Sequence, residues 1–339
     1  MRPVVFITKM AGGGMETFCL GLLRAWIKIG VVPTLYVSYT GGERIIDIPV
    51  EVKVVSWNTP ARKSFFRLAR WLRSRPNDPC LAASQELAVV LLLLRKLHLI
   101  SNTIYYREST DVDRHYAKWF KKLMRWLWPH LDGIIEQSKV GVETTRQVCG
   151  GRLPPCRVVR NIMEKVDVKA TFELHDGAVI RLGCIGSFKP MKGQGFLINE
   201  LKEDKKADWT LTFWGDGERK AHAEQLVADF NMFDRVRFNA WQSDKSTIYE
   251  SCDIVVIPSD YEGLPNVMLE AILHGKRVSV RPTCVGACEL LSELEIRGTW
   301  PWRESLKIPK AIWDNARSEL SEICNPTKVS REILEFMTH

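Results

Sequence analysis

Short runs rich in β-branched residues alternate with helix-length amphipathic stretches along almost the whole chain, and this alternation constrains the fold more than any other property. In the first half, VVFIT (4–8), VPTLYVSY (32–39), VEVKVVSW (50–57), TIYYRES (103–109) and LDGIIEQS (131–138) predict strands, with a helix at about 15–29 and others between the later strands. In the second half, strands are predicted at 180–187, 208–215, 235–241, 252–259 and 277–282, and helices at about 195–205, 219–231, 244–251 and 264–274. Strands separated by helices pair in parallel through right-handed crossovers. The pattern restarts after a loop near Glu164 to Ala178, which predicts two doubly wound α/β domains, 1–163 and 164–325, with a helix at about 326–339 that packs back on the first. Ligands of such sheets bind at the carboxyl ends of the strands, so the natural site is a cleft where the domains face each other. The longest apolar run, Leu87 to Leu94, falls far short of the ~20 residues a membrane span needs and reads as a buried helix.

Charge is distributed unevenly. Residues 1–160 carry 25 Lys and Arg against 12 Asp and Glu, whereas 161–339 carry 23 against 28. The basic half points to an anionic partner, a membrane surface or a nucleic acid. Nine cysteines with no C-x2-C pair, and a start (MRPVVFITKM) that reads as a strand rather than a signal peptide, predict a reducing, cytoplasmic setting.

Three stretches carry chemistry. Gly12-Gly13-Gly14-Met15-Glu16 lies where the first strand gives way to a helix, and glycines there let backbone N–H groups approach an anion. They lack P-loop and dinucleotide spacing, so on glycine chemistry alone a plain tight βα turn is the better reading. The second stretch, Gly186-Ser187-Phe188-Lys189-Pro190-Met191-Lys192-Gly193, follows a strand and offers Lys192 as a point charge for a diphosphate; a solvated loop lysine is the bland alternative. The third runs from Ser259 to Ala271 and carries Glu262 and Glu270 eight positions apart, the first on a loop and the second on the following helix. That spacing returns both carboxylates to about one face, where they suit a polyhydroxylated ligand; a capping glutamate plus a solvated one is the alternative.

The run SDYEGLPNVMLEAILHGKRVSV, preceded by GSFKPMKG, LTFWGDGE and CDIVVIPS and followed by VGACELL, resembles the retaining nucleotide-sugar glycosyltransferases of glycosyltransferase family 4. The likeness is strong over about 180–290 and weaker in GGGMETF, QS (137–138) and VVRNIM (158–163). It implies the α/β GT-B fold, two Rossmann-like doubly wound domains facing across a deep cleft, with the donor on the second domain and the acceptor on the first. It also implies retaining transfer of a hexose-type sugar from a UDP- or GDP-sugar to a saccharide or lipid-linked saccharide in bacterial cell-surface polysaccharide or lipopolysaccharide synthesis. No metal or cofactor is required beyond the nucleotide-sugar. Residue by residue, the resemblance puts Glu262 beside the donor sugar and Gly263, Leu264, Asn266 and Val267 against sugar and phosphate. Glu270 falls on the ribose hydroxyls and Lys192 on the diphosphate, with Gly13 and Gly14 closing over it and the nucleobase near Asn239 to Trp241. Ser187 stands where many members have a phosphate-binding arginine, leaving Lys189 as a substitute charge. Arg107-Glu108-Ser109 stands where many have a His-Asp-like pair, which makes Arg107 and Glu108 candidates for an acceptor-side or near-donor site, with a structural ion pair as the alternative.

Two basic segments account for the charge imbalance. Arg62, Lys63, Arg67, Arg70, Arg73 and Arg75 share an acid-free stretch with Phe65, Phe66 and Trp71. Further on, Lys118, Lys121 and Lys122 accompany a helical stripe of Trp119, Phe120, Leu123, Trp126 and Leu127. Both predict basic amphipathic helices at the anionic inner leaflet of the membrane, with Lys118, Trp119, Lys121, Lys122 and Trp126 in contact; packing of the apolar stripe on the sheet is the alternative. Asp111-Val112-Asp113 and Cys284-x3-Cys288 do not amount to a metal site. A nucleotide-sugar epimerase and a basic nucleic-acid-binding protein are the competing readings.

Overall fold

In a computed structural model of the chain, which describes residues 2–168, 177–204, 206, 208–242 and 244–338, successive side chains of the first strand enter two different cores. Val4 and Phe6 join one apolar cluster, Val5 and Ile7 another, as in a central parallel strand covered on both faces. The chain divides into two compact units, Met1–Glu164 with Ile323–His339, and Lys165–Glu322. Of the loop near Glu164 to Ala178, residues 169–176 lie outside the described residues, as do Lys205 at the end of one predicted helix and His339.

Unit 1 runs β1 (Val4–Lys9), α1 (Gly14–Lys28), β2 (Thr34–Tyr39), β3 (Lys53–Ser56), α2 (Phe65–Arg73), β4 (Cys80–Ala82), α3 (Gln85–Lys96), β5 (Ile104–Arg107), α4 (Val112–His115), α5 (Lys118–Leu127), β6 (Gly133–Glu136), α6 (Lys139–Val148) and β7 (Cys156–Val158). Its parallel sheet has the order β3-β2-β1-β4-β5-β6-β7. Unit 2 runs β8 (Ile180–Ile185), α7 (Gln194–Leu201), β9 (Trp209–Trp214), α8 (Lys220–Asp229), β10 (Val236–Asn239), α9 (Lys245–Glu250), β11 (Ile254–Ile257), α10 (Asn266–Leu273), β12 (Arg277–Val280), α11 (Val285–Glu293), α12 (Arg303–Leu306) and α13 (Lys310–Ile323), with the parallel order β10-β9-β8-β11-β12. Strand order reverses between β1 and β4 and between β8 and β11. Loops leaving the carboxyl ends of these pairs part to opposite sides and leave a crevice.

Two strands escape the hydrophobic pattern. β4 and β7 have three residues each, too few for alternation to register, although Pro79 before β4 and Ser84 at the start of α3 punctuate the first. The predicted basic helices are also shorter than their sequence stretches. Ala61–Ser64 forms a 3₁₀ turn before α2, and extended backbone at Tyr116 and Ala117 separates α4 from α5.

The last helix, α14 (Pro326–Phe336), returns to unit 1. Val329, Ile333 and Met337 enter the cluster that α1 covers, and the buried Trp26 ring donates from Nε1 to Ser330 O at 3.0 Å. Phe336 packs edge-on against Tyr105, and a Cβ on Gly133 would lie 2.6 Å from its ring, so β6 needs glycine there. Because Ile333 is fully buried, Ile333→Ala should destabilise unit 1 by about 2–4 kcal/mol, measurable as a lower urea midpoint; an unchanged midpoint would show that α14 does not belong to this core.

Candidate active site

In unit 2 the loops after β8 and β11 are fastened to each other at the strand-order reversal. Gly193 has φ +68°, and a Cβ there would lie 2.1 Å from Pro258 O, so only glycine fits. Asp260 N donates to Met191 O at 2.8 Å, which locks the two loops together. Lys192 Nζ then meets Glu262 Oε2 at 2.8 Å, and Ser259 Oγ donates to Glu262 Oε1. Ser259 is itself held, its carbonyl accepting from Thr283 Oγ1 and Cys284 Sγ. Ser187 is half-buried and its carbonyl accepts from Gln194 Nε2, whereas Lys189 is exposed. Asp260 pairs with Arg281, whose guanidinium lies 3.7 Å from the Phe196 ring centroid.

Glu270 lies on α10, beyond Gly263, the buried Leu264, and Asn266 and Val267 in the first turn. Its carboxylate is 9% exposed and receives two donors from α9, Tyr249 OH at 2.7 Å on Oε2 and Lys245 Nζ on Oε1. The Tyr249 ring stacks on His274 at 4.4 Å. Burial is the main influence that pushes the Tyr249 phenol well above its ordinary range, so it stays a donor. Trp241 stands beyond the end of β10 with half its surface exposed. Sequence reasoning found Glu262, Glu270 and Lys192 but assigned nothing to Ser259, Lys245 or Tyr249. The i,i+4 spacing of Lys245 and Tyr249 was the available signal, since it puts both on one face of α9.

In unit 1, Gly13 precedes α1 and Gly14 opens it, at the β1–β4 reversal. The Arg107–Glu108 pair differs from its expected acceptor-facing role, since both side chains are 1% exposed. Glu108 accepts from Ser109 N, Thr110 N, Thr110 Oγ1, Tyr106 OH and Tyr116 OH. Its lone pairs are spent on clamping the loop that follows β5. Arg107 stacks 3.6 Å from the Phe18 ring centroid and donates to Asn161. A third buried charge neighbours this pair. Glu136, at the end of β6, accepts from Thr145, and burial, reinforced by the charge of Glu108, raises it to about 8.

The stripe on α5 also divides differently from expectation. Phe120, Met124 and Leu127 are buried in the core, while Trp119 and Trp126 are 69% and 52% exposed. Lys118 and Lys122 are exposed, but Lys121 turns to Asp113 and ties α5 to α4. Asp111 caps α4, accepting from the N–H groups of Asp113 and Arg114, which explains the D-x-D pattern structurally. Among the described residues, no helix is long and apolar enough to cross a membrane.

Residues 180–297 match the family model "Glycosyl transferases group 1". The lipopolysaccharide core biosynthesis glycosyltransferase LpsE of Rhizobium meliloti is 38% identical over 291 residues, covering 78% of this chain and 75% of the relative. The chain belongs to the group 1 glycosyl transferases. The amylovoran biosynthesis glycosyltransferase AmsD of Erwinia amylovora is 24% identical over 247 residues, 70% of this chain and 68% of the relative. Among solved structures, Anabaena HepE in complex with UDP-glucose superposes with a TM-score of 0.79 at 18% identity, covering 100% of this chain and 99% of that one. The lipopolysaccharide outer core galactosyltransferase WaaB, in its apo form, gives a TM-score of 0.75 at 15% identity over 99% of both chains. The fold is therefore GT-B and the protein is a glycosyltransferase. Neither the epimerase nor the nucleic-acid reading is favoured by these relatives.

The buried carboxyl of this glycosyltransferase at Glu136 gives stability a definite pH dependence. Its native value of about 8 exceeds the ordinary 4.5, so the native state binds the proton more tightly. The resulting stabilisation is complete below the ordinary value and is lost as pH rises through the native one. Between about pH 5 and 8 the wild type should lose on the order of a few kcal/mol that Glu136→Gln retains. Parallel chemical melts check this, and identical pH profiles would contradict it.

Proposed function

We propose that the protein is a retaining, metal-independent hexosyltransferase of glycosyltransferase family 4, which uses a UDP-sugar, or failing that a GDP-sugar, and acts on a saccharide or lipid-linked saccharide of bacterial cell-surface polysaccharide or lipopolysaccharide synthesis. The observation that carries the donor half of this reading is the pair of lysine–carboxylate contacts in unit 2, Lys192 with Glu262 and Lys245 with Glu270. Carboxylates held in this way suit sugar and ribose hydroxyls, and Lys192 suits a diphosphate. HepE supports UDP, since it is described in complex with UDP-glucose. LpsE, AmsD and WaaB support the acceptor class by their names.

In the reaction, the bond between the anomeric carbon and the β-phosphate oxygen breaks and its electron pair leaves with the phosphate. The acceptor hydroxyl oxygen attacks the same face, and its proton passes to the departing phosphate oxygen. Lys192 opposes the charge that develops on the leaving group, an interaction stronger in the transition state than in the ground state. Glu262, fixed by Ser259, orients the sugar and offsets positive charge at the anomeric carbon. Gly263, Leu264, Asn266 and Val267 offer backbone to the donor, and Trp241 stands near the base. In unit 1 the Gly13–Gly14 amides are the anion-binding candidates.

The acceptor half of the reading rests on the helix layer of unit 1. Arg62, Lys63, Arg67, Arg70 and Arg73 on or just before α2, and Lys118, Lys122 and Arg125 on α5, flank the apolar α3, and Phe66, Trp119 and Trp126 are exposed beside them. All three helices pack on one apolar cluster. This layer suits peripheral attachment to the anionic cytoplasmic face of a membrane, at about 1 kcal/mol per basic residue.

Glu270→Ala should weaken UDP binding at least tenfold in calorimetry, and Lys192→Ala should lower kcat by two orders of magnitude or more, roughly the scale of one lost transition-state donor. Near-normal values in both would sink the site assignment. Replacing Lys118, Lys122, Trp119 and Trp126 should release the protein from vesicles containing phosphatidylglycerol without altering UDP binding. Sedimentation with those vesicles as before would remove the membrane reading.

A further inference from the structure

Glu270 does not wait for a ligand as a free carboxylate. Tyr249 OH and Lys245 Nζ occupy one lone-pair direction on each oxygen, and a carboxylate oxygen has two. One acceptor direction per oxygen remains, which matches in number the two hydroxyls that a ribose carries on adjacent carbons. The clamp is built from the frame outward. Asp244 caps α9 by accepting from Ser246 N at 3.0 Å, which sets where the helix begins. Lys245 and Tyr249 then lie one turn apart on the face toward α10, and stacking of Tyr249 on His274 fixes the distance between the two helices.

The two clamping donors differ. Tyr249 is buried at 1% exposure, while the Lys245 side chain is 39% exposed against 11% for Glu270. Tyr249 is thus part of the core, whereas Lys245 is the more exposed of the two donors. Its ammonium pairs with a carboxylate that is largely removed from solvent.

We infer that Lys245 is a positioning residue for the ribose of the donor: it holds the Glu270 carboxylate in the rotamer that presents its remaining acceptor directions to the 2′- and 3′-hydroxyls. The inference rests on the reading of Glu270 as the ribose acceptor. It makes Lys245 a determinant of affinity and of ribose over deoxyribose, and gives it no part in bond breaking. A ribose held equally in ground and transition states affects KM rather than kcat.

The test uses the full chain with Lys245→Met, Lys245→Arg and Glu270→Ala, titrated calorimetrically with UDP, GDP and their 2′-deoxy forms, together with steady-state kinetics on the matching sugar donor. Lys245→Met should lose about tenfold in affinity for the ribonucleotide, the scale of one charge-assisted hydrogen bond, and less for the deoxynucleotide, so the ratio between them shrinks. Donor KM should rise with kcat nearly unchanged, and Lys245→Arg should restore both. Ribonucleotide affinity equal to wild type in Lys245→Met, equal losses for both sugars, or no rescue by arginine would each overturn the inference while leaving the donor site intact, provided Glu270→Ala still loses affinity. Undiminished binding by Glu270→Ala, or a wild type that binds neither UDP nor GDP, would instead overturn the donor-site reading and this inference with it.

Discussion

The contact of Gly193 with Pro258 O, reinforced by Asp260 N donating to Met191 O, is the constraint on which the unit 2 site depends. β8 and β11 are neighbours in the sheet yet their connections leave in opposite directions, so their following loops would part without a tie. A left-handed glycine with no Cβ lets one loop rest on the backbone of the other, and only then can Lys192 reach Glu262. A side chain at 193 would force the loops apart and move the lysine off its carboxylate before altering any polar group. The Ser259 carbonyl, fastened by Thr283 and Cys284, and the Asp260–Arg281 pair extend the same tie to the end of β12.

Unit 1 handles charge at its strand ends by a different balance. Arg107, Glu108 and Glu136 are all buried at or just beyond the carboxyl ends of β5 and β6. Taking three charges from water is costly, and pairing alone seldom repays it. Burial pushes both carboxyls above their ordinary range; at Glu108 five donors oppose that push, whereas Glu136 has fewer and is raised to about 8. The return is mechanical: Glu108 pins the loop after β5, Thr145 ties Glu136 to α6, and Arg107 packs on Phe18 of α1, which carries the glycine turn.

These two arrangements separate what the sequence makes legible from what it does not. Continuous apolar runs such as Val4–Ile7, alternating with helix-length stretches, show the two-unit parallel architecture, because burial on both faces demands apolar strands. β4 and β7 are hidden because three residues are too few to show a period. Glu262, Glu270 and Lys192 are legible through their fixed spacing within loops and one helix. The Lys245–Glu270 contact spans 25 positions across two helices, and nothing local encodes which lysine will close over which carboxylate. At Arg107 and Glu108 the sequence leaves a ligand site and a structural ion pair both open, and only the structure shows Tyr106, Tyr116 and Thr110 satisfying the carboxyl.

The amphipathic helices of unit 1 illustrate how one hydrophobic stripe can serve two demands. Trp119, Phe120, Leu123, Trp126 and Leu127 read as a single face, yet a helix resting on a sheet needs only the narrow arc filled by Phe120, Met124 and Leu127. Trp119 and Trp126 fall outside that arc, and Lys96 lies 4.8 Å from the Trp126 ring centroid, keeping a cation next to the exposed indole. On the membrane reading proposed above, long-range attraction from α2 and α5 would operate only within about a Debye length, roughly 8 Å at physiological salt, so charge alone would give loose, salt-sensitive adsorption. Exposed indoles add a short-range term that salt does not screen, since a ring with an apolar body and a polar N–H suits the interfacial region. On that reading, a surface with both would adsorb in two stages, charge first and aromatics second, and its attachment would become less sensitive to salt once the indoles were seated.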